Sequence, residues 1–137
     1  MRQSMLITLA AALFLGLTGC GRRLYPVEGT VQFEDSSPVK TLAGGTVSLE
    51  SVTDKSNAAG EIRNDGSFTI RDPFGKDGVA PGAYRVVVLA PEGADRRNPP
   101  IDRSFGRYET SGIEITVKEE ANKITIIVRR PKDAKKG

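Results

Sequence analysis

Three sets of side chains in this 137-residue sequence could do chemistry. The first is a single thiol. Cys20 is the only cysteine, and it stands directly after Leu17-Thr18-Gly19 at the end of an apolar run. With no second thiol in the chain, its chemistry is covalent modification rather than an internal disulfide. The second set is acidic: Asp65, Asp72 and Asp77. Paired carboxylates can act as acid and base on a glycosidic bond, and several oxygens together can hold calcium. The spacing of these three matches no metal loop, and Asp before Gly at 65 and 77 is ordinary turn chemistry. No metal ligand and no catalytic residue is therefore assigned. The third set is Arg96, Arg97, Arg103 and Arg107 with Phe105 and Tyr108, clustered between Pro91 and Gly112. Arginines supply charge contacts and aromatics supply anchors at binding surfaces.

What is missing excludes as much. The chain has no histidine and no tryptophan, which removes the commonest general base and metal ligand and the strongest stacking surface for sugars or bases. No cofactor is implied. The formal net charge is +3, near balance for a chain of this size, and gives no nucleic-acid-binding signature.

The element that must position Cys20 is the leader before it. Arg2 provides a short positive region, Met5 to Leu17 is apolar apart from Thr8 and Gly16, and small residues precede the cysteine, the layout of a cleaved export signal. The run is too short to span a bilayer, which takes about 20 apolar residues. Leu17-Thr18-Gly19-Cys20 resembles the lipobox of bacterial lipoproteins. The resemblance implies that a signal peptidase recognises Leu17, Thr18 and Gly19 and cuts before Cys20. It also implies a diacylglyceryl group on the thiol and an acylated amine, the two-chain arrangement that stable anchoring requires. Gly21 rather than Asp after the cysteine implies the outer membrane in a cell with two membranes. Residues 1–19 are thus expected to be the signal peptide and 20–26 the lipidated cysteine and a short linker. From Cys20 to Tyr25 an extended chain reaches only about 20 Å, so the domain is expected close to the bilayer. Arg22 and Arg23 either touch anionic headgroups there or simply end the signal as solvated charges.

The arginine-bearing stretch must be held by strands. Val27, Gly29, Val31 and Phe33 alternate with polar residues, the period of a half-buried strand. Val47 and Leu49 mark a second strand and Ala58 to Ile62 a weak third. Asn64-Asp65-Gly66 is expected to join the third to a fourth, Ser67 to Arg71, as a hairpin. After an irregular excursion closed by Pro81-Gly82, the run from Ala83 to Ala90 is apolar on both faces and is expected at the centre of its sheet, with Tyr84, Val86 and Val88 facing the core. Ile113, Ile115 and Val117, then Ile124, Ile126 and Val128, complete seven strands with frequent turn signals, the pattern of an all-β antiparallel sandwich over residues 27–130. Pro131 and the lysines after it are expected to form a basic disordered tail, residues 131–137.

Four stretches in order, Val27-Glu28-Gly29-Thr30-Val31, Leu42 to Leu49, Asn64-Asp65-Gly66-Ser67-Phe68-Thr69-Ile70 and Pro81 to Val88, resemble the carboxypeptidase-regulatory-like, or transthyretin-like, domain of small bacterial lipoproteins. Arg107 to Val117 also has a counterpart there. The resemblance covers nearly all of residues 25 to 130 and implies a seven-stranded Greek-key sandwich without enzymatic activity. It implies an accessory role, structural or protein-binding, at the cell envelope, with membrane lipid held through Cys20 and an envelope protein as partner. A surface module for carbohydrate or a small ligand is the alternative, and an envelope hydrolase using carboxylates a remote one. The stretch from Pro91 to Gly112 is 22 residues long, and loops beyond about 12 to 15 residues tend to be functional. Either it binds a partner through its arginines and aromatics, or Ile101, Phe105 and Tyr108 pack it over the sandwich while the arginines stay wet.

Overall fold

The computed structural model describes residues 23–132. Cys20, the Leu17-Thr18-Gly19 stretch, the signal helix and the last five residues of the basic tail lie outside the described residues. Seven strands form: β1 (Val27–Phe33), β2 (Thr46–Ser51), β3 (Asn57–Glu61), β4 (Ser67–Thr69), β5 (Gly82–Leu89), β6 (Ile113–Val117) and β7 (Asn122–Val128). The only described helices are single 3-10 turns at Lys40–Leu42 and Arg103–Gly106. Two sheets result, a three-stranded one in the order β4-β1-β7 and a four-stranded one in the order β3-β2-β5-β6.

The alternation read in the sequence becomes the inner and outer faces of these sheets. Val27, Val31 and Phe33 of β1 and Ile126 and Val128 of β7 are buried. They share one core with Val47 and Leu49 of β2, Phe68 of β4, Tyr84, Val86 and Val88 of β5, and Val117 of β6. Strand β5 lies inside its sheet between β2 and β6. Val87, on its other face, is also buried, and the 3-10 turn of the 91–112 segment lies against β5.

Two expectations change. The sandwich is not wholly antiparallel: β1 and β7 run parallel, paired from Val27 with Asn122 to Phe33 with Val128. They are the first and last strands, so no tight turn imposes an antiparallel pairing, and the intervening chain serves as the long connection a parallel pair needs. The backbones pass closely. A Cβ on Gly29 would fall on the carbonyl oxygen of Ile124 and lie 2.9 Å from its Cγ1.

The expected β3–β4 hairpin is the second change. Its turn forms, with Gly66 at φ +86° and the Arg63 N–H donating to Ser67 O at 2.9 Å. Beyond the turn, however, β3 pairs with β2 and β4 pairs with β1. Past the turn the two flanks are joined by the Ala59–Arg71 pair, which exchanges bonds of 3.0 and 2.9 Å, and by Arg63 Nη2 donating to Thr69 Oγ1 at 3.2 Å. The segment is a corner between sheets rather than a hairpin within one.

The two ends of the sandwich carry different loops. Tyr25, just inside the start of the described chain, pairs with Val79. That proximal end also gathers the turns at 52–56, 72–80 and 118–122. The last is held by Asn122, whose Nδ2 donates to the carbonyls of Glu120 (2.7 Å), Lys118 (3.1 Å) and Pro26 (3.3 Å). At the opposite end lie the 34–45 segment, the 63–66 turn, the 91–112 segment and the chain after β7.

Candidate functional site: the arginine-bearing segment at the distal end

The 91–112 segment leaves β5 at Leu89 and returns to the sheet at β6. Between them it is pinned at four points. Asp102 N–H donates to Arg129 O at 3.0 Å, tying the segment to the residue that follows β7. The Asp102 carboxylate then caps the Arg103–Gly106 turn, accepting from Ser104 N at 2.9 Å and Ser104 Oγ at 2.7 Å. Those two bonds, led by the hydroxyl, hold the Asp102 carboxyl below the usual range. Burial opposes them, and the charges of Arg129 and Lys132 add to them. Ile101 and Phe105 are each 4% exposed and belong to the main core. Tyr108 is half-buried, with its hydroxyl 2.8 Å from Ser48 Oγ on the outer face of β2. Thr110 Oγ1 donates to Ser104 O at 2.7 Å and closes the segment on itself.

The sequence-derived site residues therefore divide. Phe105 faces inward, its ring beneath the Arg129 guanidinium at 5.1 Å, and Tyr108 is engaged by the sheet. Arg96, Arg97, Arg103 and Arg107 are exposed. Arg103 Nη2 donates to Arg96 O at 2.6 Å, which sets two of the guanidinium-bearing residues side by side. Arg97 and Arg103, with Lys132 and Asp102, line an open cleft that also includes Pro99 and Pro131. Three cations to one carboxylate give this cleft a local preference for anions. The segment as a whole balances four arginines against Glu92, Asp95, Asp102 and Glu109, so it is not a broad cationic surface.

Residues singled out less readily in the sequence prove structural here. Arg129 and Arg130, adjacent at the exit of β7, point to opposite sides: Arg129 onto Phe105, Arg130 onto the Phe33 ring at 4.1 Å. Arg130 also donates to Asp35 Oδ2 at 3.0 Å and to Ser37 Oγ at 2.9 Å. A basic pair at a strand end after Val128 was the available signal. Among the acidic candidates, Asp65 accepts from Ser67 N and Oγ at 2.9 and 2.6 Å. Asp72 accepts from Phe74 N and Lys76 N at 3.0 and 2.7 Å, and Asp77 pairs with Arg71 at 3.2 Å. Each is a turn or surface partner. Among the described residues no three His, Cys, Asp or Glu side chains are grouped to hold a metal ion, and no helix is long and apolar enough to cross a membrane.

No protein-family model matches the chain, and comparison with curated proteins and with solved structures finds no match.

Proposed function

We propose that this protein is a lipid-anchored, non-enzymatic module of the bacterial cell envelope, a structural or protein-binding accessory built on a transthyretin-like sandwich with Greek-key connections. One observation carries the reading: the sole cysteine stands in Leu17-Thr18-Gly19-Cys20, at the end of a short apolar leader with a positive start. Residues 1–19 are then removed and Cys20 holds the acyl chains. Gly21 after the cysteine supports outer-membrane sorting in a cell with two membranes.

The strand arrangement supports the domain assignment. Seven strands lie in sheets of three and four, and the chain crosses between sheets from β1 to β2, β3 to β4, β4 to β5 and β6 to β7. The lack of histidine throughout the sequence supports a role without catalysis. A protein partner is favoured at the distal end, because Arg96, Arg97, Arg103 and Arg107 sit on a pinned segment opposite the end at which the chain enters. The partner's matching surface is acidic and small, sized to the Arg97–Arg103–Lys132 cleft.

Intact-mass spectrometry of the membrane fraction tests the anchor. Cells expressing the wild type should yield a chain lacking residues 1–19 and carrying acyl mass, and Cys20→Ala should yield neither. An unacylated mature chain from the wild type overturns the reading.

A further inference from the structure

At the proximal end the loop after β4 holds an aromatic ring in water. Phe74 is 88% exposed, the most exposed of the large apolar side chains among the described residues. The loop that carries it is tightly closed. Asp72 Oδ1 accepts from Phe74 N and Lys76 N, Asp72 N–H donates to Lys76 O at 2.8 Å, and Gly75 N–H donates to Asp72 O at 3.0 Å. Pro73 stiffens the step before the ring by fixing its own φ. The ring is thus presented by a rigid turn.

Phe74 is not isolated. Leu24 and Pro73 line the same shallow depression as Phe74, beside Ala58, Val79, Ala80 and Tyr84, with the polar 54–57 turn at its edge. Grouped exposed apolar residues mark interaction surfaces, whereas single ones need no explanation. The place of this group in the fold identifies its occupant. Tyr25 and Val79, the residues bonded to each other at this end, join the start of the described chain directly to the end of the Phe74 loop at 2.9 and 3.1 Å. Arg23 lies three residues after Cys20, a reach of no more than about 11 Å. Resting on the anchor reading above, we infer that the Phe74 loop is a second, non-covalent membrane contact, the ring entering the headgroup–acyl boundary of the bilayer that holds Cys20.

The attraction is apolar. Cations and carboxylates balance at this end, and Arg71 is already paired with Asp77. The contact should therefore persist in zwitterionic vesicles and at high salt, unlike binding by a basic patch. It fixes the sandwich upright, with its arginine-bearing end pointing away from the membrane.

The natural chain has no tryptophan, so a single introduced indole reports its own site alone. The mature acylated protein carrying Phe74→Trp is reconstituted into phosphatidylcholine vesicles with and without brominated acyl chains, with Leu89→Trp at the opposite end for comparison. Intact mass is measured on the same preparations. The expected result is a blue-shifted indole emission from the Phe74→Trp chain that loses about half of its intensity to brominated lipid, while emission from the Leu89→Trp chain is unmoved. Unquenched emission from an acylated Phe74→Trp chain overturns the inference and leaves the anchor standing, as does equal quenching at both sites. A chain without acyl mass overturns the anchor and the inference together.

Discussion

Replacement of Phe105 by alanine decides whether the arginine-bearing segment is part of the fold or a free arm. The ring is 4% exposed, sits in the main core and lies under the Arg129 guanidinium. Removing a buried Phe side chain costs about 3 to 5 kcal/mol through lost transfer free energy and the cavity left behind. The cation–ring contact with Arg129 contributes on the order of another 0.5–1 kcal/mol. For a domain of this size each kcal/mol moves the midpoint by about 4 °C, so a combined loss of about 3.5 to 6 kcal/mol should make Phe105→Ala melt about 14 to 24 °C below the wild type. Calorimetry or circular dichroism on the mature chain measures it. Arg97→Ala, on the same segment but exposed, serves as the control and should melt within about 2 °C of wild type, as surface changes do. A Phe105→Ala midpoint equally close to wild type would refute the reasoning, since it would mean that the segment leaves the sandwich at little cost.

Other expectations follow from close contacts elsewhere. Gly29→Ala sets a Cβ on the Ile124 carbonyl, so the β1–β7 pairing must break or shift, and a loss of more than about 4 kcal/mol by denaturant titration is expected. Asn122→Ala removes the side-chain partner of the Glu120 carbonyl and the Lys118 N–H, while the Pro26 and Lys118 carbonyls keep the backbone N–H groups of residues 122 and 120, and should cost about 2 to 3 kcal/mol in the same titration, with Asn122→Asp only partly restoring it. In Asp35, Asp65 and Asp102 the serine two residues on, by hydroxyl and then by backbone N–H, holds the folded carboxyl below its ordinary value. The unfolded chain then binds more protons in acid, so this stabilisation is full above about pH 4 and is lost as pH falls through the lower folded values. Melting curves from about pH 7 down to about pH 2 should show a shallower acid limb for the Ser37→Ala/Ser67→Ala/Ser104→Ala triple variant than for wild type, and identical limbs would contradict the assignment.

The strands were legible where one face is buried and the other wet. β1, β2, β6 and β7 each announce themselves by alternation, and β5 by its apolar run. Their pairing was not legible. Whether Val27 faces Asn122 in a parallel register depends on how the whole chain closes, and no local residue pattern encodes it. The corner at Asn64-Asp65-Gly66 shows the same limit: the turn chemistry is local and correct, but the sheet each flank joins is decided by distant partners. For the 91–112 segment the sequence supplied both alternatives. The burial of Ile101 and Phe105 and the bond between Tyr108 and Ser48 describe a segment packed on the sandwich with its arginines in water. One further local signal is present in the sequence. Asp-x-Ser recurs at Asp35, Asp54, Asp65 and Asp102, and in all four the serine N–H donates to the aspartate at 2.9 to 3.0 Å. A short side-chain acceptor two residues before a donor makes such a turn on its own.

The parallel pairing of β1 and β7 also has a mechanical meaning. Because these strands run side by side in one direction, the chain enters the sandwich at one end and leaves it at the other. A pull between the chain before β1 and the chain after β7 is directed along both strands. Seven paired residues then share the load in shear, and their hydrogen bonds must fail together rather than open one after another as in a hairpin peeled from its tip. The β1–β7 pair is thus the clamp between the two ends of the described chain.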